Sequence, residues 1–234
     1  MNRMPIVAGL LPLCVGAGCA SFATVRSAEV TRGASIVTQA SLAGRPGDDA
    51  AWFFNFDCAS HCDRSIASGD VALAYGVDAG SDVPFSIGAG LNGTFPYLEG
   101  YAQLGRGKTP FGIGARAGIP LGWAMHELYG RLDLPLSPSA RLLWNPGVVY
   151  LTGNSPNGEN PGSFSAITQG IGIQFGAGGF TFTPSAALVW GRAEHTSSGE
   201  QFGPSSRAFG TVAISIGLRD VSWPSGTQRP RTPH

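Results

Sequence analysis

The chain has 234 residues, of which 13% are charged and 35 are glycine, and its formal net charge is zero. Soluble domains carry about 25% charged residues, so this surface is poor in charge, although the mean hydropathy of +0.08 is not that of a uniformly apolar chain. A neutral chain lacks the basic field that holds nucleic acid, and we exclude that partner. No run of about 18 apolar residues follows residue 19, which excludes a membrane helix.

The chain begins with the features of an export signal. Arg3 precedes an apolar stretch over residues 4–18, which has the length of a secretory hydrophobic region. A chain with this leader is exported from the cytoplasm, so its cysteines meet an oxidising compartment.

The end of the leader allows two ways of processing. The sequence Gly16-Ala17-Gly18-Cys19 resembles the lipobox of bacterial lipoproteins, which implies that Cys19 becomes the lipidated N-terminus. In that family Ala20 after the cysteine implies sorting to the outer membrane. The alternative is ordinary cleavage after Ala23, which leaves Thr24 as an unmodified first residue.

Two further cysteines form a CxxxC pair, Cys58 and Cys62, with His61 between them. In an exported chain such a pair predicts a disulfide. Two sulfur atoms and one imidazole fall short of the four ligands of a structural zinc site. We therefore predict no metal here.

Alternate residues are apolar in a series of short segments from residue 34 to residue 220, and this period indicates strands with one apolar face. Each segment has about the 9–11 residues that a tilted strand needs to cross a bilayer. A closed barrel satisfies all backbone groups in lipid and takes an even number of strands in single-chain bacterial proteins. The predicted fold is all-β, an antiparallel transmembrane β-barrel of about ten strands, with eight as the lower count. Residues predicted to face outward include Leu73, Tyr75, Ile87, Leu98, Ile113, Leu128, Trp144, Val148, Ile171, Leu188, Trp190 and Ile214.

The first strand has two candidates, residues 34–43 and residues 50–57, because both alternate. We favour residues 34–43 and assign residues 52–56 to a long loop at the membrane rim. A soluble β-sandwich is the main alternative fold.

The connections differ in length on the two sides of the predicted barrel. Tight turns at residues 78–82, 105–109, 136–139 and 176–179 carry Gly, Pro, Asp or Ser, as turns do. Longer loops are predicted at residues 44–68, 118–125, 152–162 and 191–206. Tight turns face the periplasm in such barrels, so both termini are predicted to be periplasmic.

The inward faces carry opposite charges. Folding around the tight turns sets Glu99 opposite Arg116 and Asp133 opposite Arg141, and cross-strand pairs of this kind attract. With Tyr97, Tyr101 and Tyr129, these pairs are predicted to fill a narrow barrel as a structural plug. A narrow conduit or small-solute site is the functional alternative.

Two other patterns suggest chemistry but lack its context. Residues 88–93 fit GxGxxG, but a strand rather than a helix follows, so we interpret these glycines as small inward residues. His195, Ser197 and Glu200 loosely resemble the residues of an outer-membrane lipid A deacylase. We expect them in a solvated loop. His126 and Glu127 are expected to contact lipid headgroups at the outer rim.

The overall pattern resembles the small outer-membrane β-barrel proteins of Gram-negative bacteria with a lipoprotein-type signal peptide. The domains are then a signal peptide (residues 1–18), a lipidated linker (19–33), the barrel (34–220) and a disordered tail (221–234). The resemblance implies a structural or interaction role without enzymatic activity, and a pore or a lipid hydrolase as alternatives. No cofactor beyond the lipid on Cys19 is expected. The expected partners are outer-membrane lipid, the barrel-assembly and lipoprotein-sorting machineries, and an unidentified extracellular ligand.

Overall fold

The computed structural model describes residues 23–44, 65–77, 83–93, 95–105, 107–119, 123–153, 163–177, 179–197 and 200–219. No helix in these ranges is long and apolar enough to cross a membrane. Cys19, Cys58 and Cys62 lie outside the described residues, so the lipid anchor and the disulfide stay predictions.

Ten strands follow one another along the described chain: β1 Gly33–Gly44, β2 Ser65–Val77, β3 Phe85–Asn92, β4 Phe95–Gln103, β5 Phe111–Gly118, β6 Trp123–Ser137, β7 Ala140–Gly153, β8 Ser163–Ala177, β9 Phe180–Ser197 and β10 Glu200–Arg219. Each strand pairs antiparallel with the next, and β1 pairs with β10, which closes the sheet into a barrel. The predicted all-β barrel of about ten strands is confirmed, and the count of eight and the sandwich are wrong.

The first strand is the earlier of the two candidates. β1 runs over Gly33–Gly44 and pairs with both β2 and β10, from Ser35 opposite Arg219 to Gly44 opposite Gly210. Residues 50–57 lie outside the described residues. The ten strands close without them.

The two faces of the sheet divide as predicted. Large apolar side chains point outward, with exposed fractions of 62% at Leu128, 60% at Ile87 and 58% at Trp190. Charged and polar side chains point into the lumen, where Asp70 and Asp133 are fully buried. The barrel therefore has a polar core and an apolar surface, the reverse of a soluble domain.

The two ends of the barrel also differ. At the terminal end, where β1 begins at Gly33 and β10 ends at Arg219, short connections join β4 to β5, β6 to β7 and β8 to β9 as predicted, whereas the turn predicted at residues 78–82 lies outside the described residues. Three loops predicted at the opposite end are shorter than expected. β2 already begins at Ser65 and β6 at Trp123, while β9 extends to Ser197 and β10 begins at Glu200. The predicted loop at 191–206 was wrong: antiparallel pairing continues there, with a register shift between Phe202 and Ser205.

Candidate functional site

Residues 23–31, called the plug below, lie inside the barrel before β1 begins. They form no strand, yet Ala28 is fully buried and Val25 and Arg26 are 2% and 8% exposed. The sequence predicted these residues to be part of a linker. The lumen is instead occupied by the chain's own N-terminal segment.

The plug runs from the terminal end to about the middle of the barrel. Near the terminal end the backbone N of Val30 donates to Oε1 of Gln103 at 2.8 Å. At its inner end the carbonyl O of Ala23 accepts from Nε2 of Gln39 at 3.0 Å. Gln39 lies midway along β1, so the plug fills about half of the lumen's length.

Side chains from the wall satisfy the backbone of the plug. Asp133 accepts from the hydroxyl of Ser27 at 2.5 Å and from the backbone N of Ala28 at 2.7 Å. The hydroxyl of Tyr101 donates to the carbonyl O of Ala28 at 2.8 Å. Buried backbone groups outside a sheet need such partners, so these bonds hold the irregular segment in one position.

Glycines on the wall leave the space that the plug fills. A Cβ on Gly170 would lie 2.7 Å from Cγ2 of Val25, and one on Gly172 would lie 3.1 Å from its Cγ1. A Cβ on Gly76 would overlap the carbonyl O of Thr31. The fit of the plug therefore depends on wall positions without side chains.

The centre of the lumen holds six buried charged side chains, called the lumen cluster: Arg26, Asp70, Glu99, Arg116, Glu127 and Arg131. Arg26 comes from the plug. Its Nη2 lies 2.7 Å from Oδ2 of Asp70 and its Nη1 lies 3.0 Å from Oε2 of Glu99. It joins two carboxylates on different strands.

Glu99 is the central anion of the lumen cluster. It accepts from Nε of Arg116 at 2.9 Å, from Nη2 of Arg131 at 2.6 Å and from the hydroxyl of Tyr129 at 2.7 Å. Arg116 also donates to Glu127 at 2.8 Å. The predicted pair Glu99 and Arg116 is thus placed directly opposite in register and in contact.

The charges of the lumen cluster balance only with the plug in place. The wall contributes three carboxylates and two guanidinium groups, and Arg26 supplies the third cation. The guanidinium of an arginine is not deprotonated in proteins, and that of Arg26 faces the carboxylates of Asp70 and Glu99. The guanidinium therefore stays charged.

The second predicted pair, Asp133 and Arg141, is not directly opposite in register. The turn lies at residues 138–139, and a register shift between Pro135 and Ser137 places Asp133 opposite Leu143 instead of Arg141. Asp133 and Arg141 still approach to 3.6 Å. The closer partner of Arg141 is Glu29 of the plug, at 2.6 Å.

The lumen tyrosines pack with the cations of the wall. The guanidinium of Arg131 lies 4.4 Å from the ring centre of Tyr101 and 4.6 Å from that of Tyr129, within the range of cation–π attraction. A Cβ on Gly90 would come within 2.5 Å of the Tyr97 ring. This agrees with the interpretation of residues 88–93 as small inward residues.

Sequence reasoning missed Arg26, Asp70, Glu127 and Arg131 as members of one cluster. Glu127 was expected at the outer rim, but it is 7% exposed and pairs with Arg116, because its position in β6 faces inward. A count of charges could not have shown this, because the inward carboxylates and the arginines that contact them or the plug are equal in number on the wall: Asp70, Glu99, Glu127 and Asp133 against Arg116, Arg131, Arg141 and Arg219.

A cavity of about 90 Å³ remains beside the plug, between Glu29, Ser35, Gln174 and Arg219. This volume holds about three water molecules. No group of three or more His, Cys, Asp or Glu side chains in the described ranges is placed to bind a metal ion. The backbones of His195, Ser197 and Glu200 lie at the tip of the β9–β10 hairpin, while their side chains lie outside what is described.

No family model matches the chain. No curated protein matches it. Among solved structures, the crystal structure of Neisserial surface protein A is similar with a TM-score of 0.35 and 9% sequence identity, over 82% of this chain and 99% of that chain. Likeness at this level shows neither the family nor the function of this chain.

Proposed function

We propose that this chain is a bacterial outer-membrane β-barrel protein with a structural or interaction role and no enzymatic activity. The observation that carries the proposal is the reversal of polarity, with apolar side chains outside and charged ones inside. The expected partners are outer-membrane lipid, the machinery that assembles such barrels, and an extracellular ligand that remains to be identified.

The outward face supports a lipid environment. Leu98, Trp144 and Ile171 are 57%, 46% and 51% exposed, and such residues surround the barrel on every described strand that follows β1. Soluble monomers rarely expose contiguous apolar patches larger than a few hundred Å². In a bilayer, hydrocarbon chains surround this face, so its apolar side chains are not exposed to water.

The shape of the two ends supports an orientation. In outer-membrane barrels short turns face the periplasm and longer loops face the outside. The connections at residues 138–139 and 178–179 belong to the terminal end, while residues 45–64 and 154–162 join strands at the opposite end. We propose that the terminal end, and with it the C-terminal tail, is periplasmic.

The filled lumen supports a structural role over transport. The plug, the lumen cluster and the tyrosines occupy the interior, and the cavity beside them is of the size of a few waters. We therefore expect no measurable ion current through the native barrel in planar lipid bilayers.

Membrane fractionation combined with gel mobility tests the leading proposal. The protein should sediment with outer membranes, require detergent for extraction, and migrate differently on a gel before and after heating. A chain that stays in the aqueous phase of a detergent partition and is monomeric without detergent contradicts it.

A narrow conduit is the second candidate, favoured by the polar and charged wall of the lumen. Steady single-channel currents from the native barrel would support it against the closed barrel. A lipid hydrolase is the third, on the loose resemblance of His195, Ser197 and Glu200 to the residues of a lipid A deacylase. An unchanged lipid A profile in His195→Ala relative to wild type excludes this activity.

The exported chain is processed at its leader, either by lipidation of Cys19 or by cleavage after Ala23. Both routes lead to the outer membrane, and they differ in whether residues 19–23 remain on the mature protein.

A further inference from the structure

We propose that the lipid-facing surface around Gln169 on β8 is the contact of a symmetric dimer of this chain, in which the Gln169 side chains of two copies hydrogen-bond to each other. This dimer presupposes the membrane location proposed above, and it gives the interaction role one partner, a second copy of the chain. The observation behind it is a carboxamide on the apolar face of β8.

Gln169 points outward near the middle of its strand. Its outward neighbours along β8 are Ile167 and Ile171, which are 49% and 51% exposed, and Gln169 itself is exposed. Pro146 on β7 and Leu188 on β9 lie opposite it, and neither side chain can form a hydrogen bond. The carboxamide therefore has apolar surroundings.

Gln169 lies well inside the hydrocarbon layer. Aromatic residues mark both boundaries, with Tyr150 opposite Ser165 at one end. At the other end Phe182 lies opposite Phe175. Ser165 to Phe175 is ten residue steps, or about 25 Å along the axis at the usual strand tilt, which is the height of the apolar band of such barrels. Gln169 is four steps from Ser165, or about 10 Å below that boundary, and its side chain is too short to reach the interface.

The oxygen of this carboxamide has a partner, whereas its nitrogen has none in the described part of the chain. The indole Nε1 of Trp144 donates to Oε1 of Gln169 at 3.0 Å. Because an indole N–H only donates, this contact identifies the oxygen and leaves Nε2 with two N–H groups that donate to no described atom. An amide donor without an acceptor is costly in hydrocarbon. The position therefore needs an acceptor from outside the chain.

Lipid does not supply that acceptor at the depth of Gln169. The oxygen atoms of lipids lie in the headgroup and interfacial regions, outside the hydrocarbon core. The nearer boundary is about 10 Å away along the axis, and methylene groups fill the space between. The acceptor is therefore assigned to another protein in the membrane.

A second copy of this chain presents the acceptor at the required depth. Copies of one barrel are inserted in the same orientation, so a two-fold axis between them runs along the membrane normal and sets equivalent residues at equal depth. A carboxamide is both donor and acceptor, so Nε2 of each Gln169 can donate to Oε1 of the other. The second lone pair of each Oε1 still accepts from Trp144. The contact is self-complementary, as two-fold symmetry requires.

The apolar side chains around Gln169 would enclose this pair of bonds. Trp144 and Leu188 are 46% and 55% exposed, and in the dimer they exchange contact with lipid for contact with the second copy. Such an exchange has no hydrophobic driving force, because lipid tails are as apolar as these side chains. The strength of association therefore depends on packing and on the hydrogen bonds of Gln169.

Energy transfer between dye-labelled copies of the full-length protein in phosphatidylcholine vesicles tests the proposal. Lys108, the single lysine of the chain, takes an amine-reactive donor or acceptor dye. Transfer should rise with the protein-to-lipid ratio as dimers form. Gln169→Leu should weaken dimerisation by about tenfold to a hundredfold, the effect of two hydrogen bonds within a membrane. Ile171→Leu, on the same face without a change in polarity, is the control and should dimerise like wild type.

Trp144→Phe separates the bond within the chain from the bonds between copies. It removes the indole N–H and keeps the carboxamide of Gln169, so dimerisation should match that of wild type. Equal losses in Trp144→Phe and Gln169→Leu overturn the proposal, and so does a wild-type protein that is monomeric at every ratio or a Gln169→Leu variant that dimerises normally. A monomer that is inserted and heat-modifiable refutes the dimer alone, whereas a chain that stays outside the vesicles refutes the membrane location as well.

Discussion

Arg26 places its guanidinium between Asp70 and Glu99 at distances of 2.7 and 3.0 Å. Each of these carboxylates lies on the wall, and Asp70 also accepts from the hydroxyl of Tyr97 at 2.7 Å. At the residue scale the interior is therefore a network of charge-assisted bonds in which one cation comes from outside the sheet. Such bonds are about twice as strong as bonds between neutral groups.

Removal of this cation should destabilise the barrel. Arg26→Ala leaves Asp70 and Glu99 buried with one guanidinium fewer, and breaking buried pairs of this kind costs about 3–5 kcal/mol. We expect a lower midpoint in urea unfolding of the detergent-solubilised protein. The exposed Lys108→Ala is the control and should leave the midpoint unchanged.

A double variant separates charge from packing. If Arg26→Ala acts through the unpaired carboxylate, adding Asp70→Asn should restore part of the loss. Losses that simply add would mean that the two side chains do not interact, contrary to the 2.7 Å contact.

Glycines facing the lumen tyrosines predict a second effect at this scale. A Cβ on Gly114 would overlap the Tyr129 ring, whereas one on Gly100 would meet nothing within 4 Å. Overpacking of this kind costs about 1–3 kcal/mol. Gly114→Ala should lower the unfolding midpoint, and Gly100→Ala should leave it within error of wild type. Equal effects at both positions would contradict the close packing of the lumen.

At the scale of elements, the plug is tied to the barrel through its neighbours on β4, β6, β7 and β8 as well as by the chain that leads into β1. The backbone N of Arg26 donates to Asn145 across 119 positions of sequence. Val25 also lies against Gly172 on β8, where its Cγ1 would lie 3.1 Å from an added Cβ.

That approach fits a disulfide, in which the Cβ of one cysteine and the sulfur of the other lie about 3 Å apart. We expect Val25→Cys with Gly172→Cys to form a cross-link after export, detected as the loss of two alkylatable thiols on oxidation beyond those lost by the wild-type chain, in which Cys58 and Cys62 are predicted to pair. Val25→Cys with Gly210→Cys is the control, because the nearest atom to an added Cβ on Gly210 is the carbonyl O of Ala187 at 3.9 Å and no plug atom lies within 4 Å. Free thiols in both variants would place the plug outside the lumen.

At the scale of the whole molecule, the barrel is organised by the medium that surrounds it. The outward face is apolar along the length of the strands, and the lumen takes the polar groups that a soluble protein would show to water. The free-energy cost of placing a charged side chain on the outward face is therefore expected to depend on the depth of that position in the bilayer.

Two arginine substitutions test this depth dependence. Leu73 lies in the middle of β2, and Leu136 lies near the terminal end of β6, with exposed fractions of 49% and 56%. Arginine on the lipid face costs about 2–4 kcal/mol at the bilayer midplane and about 0–1 kcal/mol near the interface. In lipid vesicles Leu73→Arg should lower the unfolding free energy well beyond Leu136→Arg. Near-neutral effects at both sites would indicate that the face is in contact with water.

Part of the interior could be predicted from sequence. Glu99 and Arg116 were placed opposite each other because a short turn sets the register of a hairpin. Asp133 and Arg141 were placed wrongly because the turn at residues 138–139 and the nearby register shift move the pairing by two residues. Turn geometry of this kind is decided by backbone conformation, and the alternation of apolar and polar residues along the strands does not encode it.

The sequence by itself determined that this chain forms a barrel and which face of each strand points outward, because alternation is a local property that every strand repeats. Only the tertiary structure decided what fills the lumen. Arg26 meets Glu99 across 73 positions of sequence. The plug shows no alternation of apolar and polar residues, so its sequence does not indicate which strands it packs against. Closure of the sheet brought these residues within bonding distance and placed an N-terminal segment among the charges it balances.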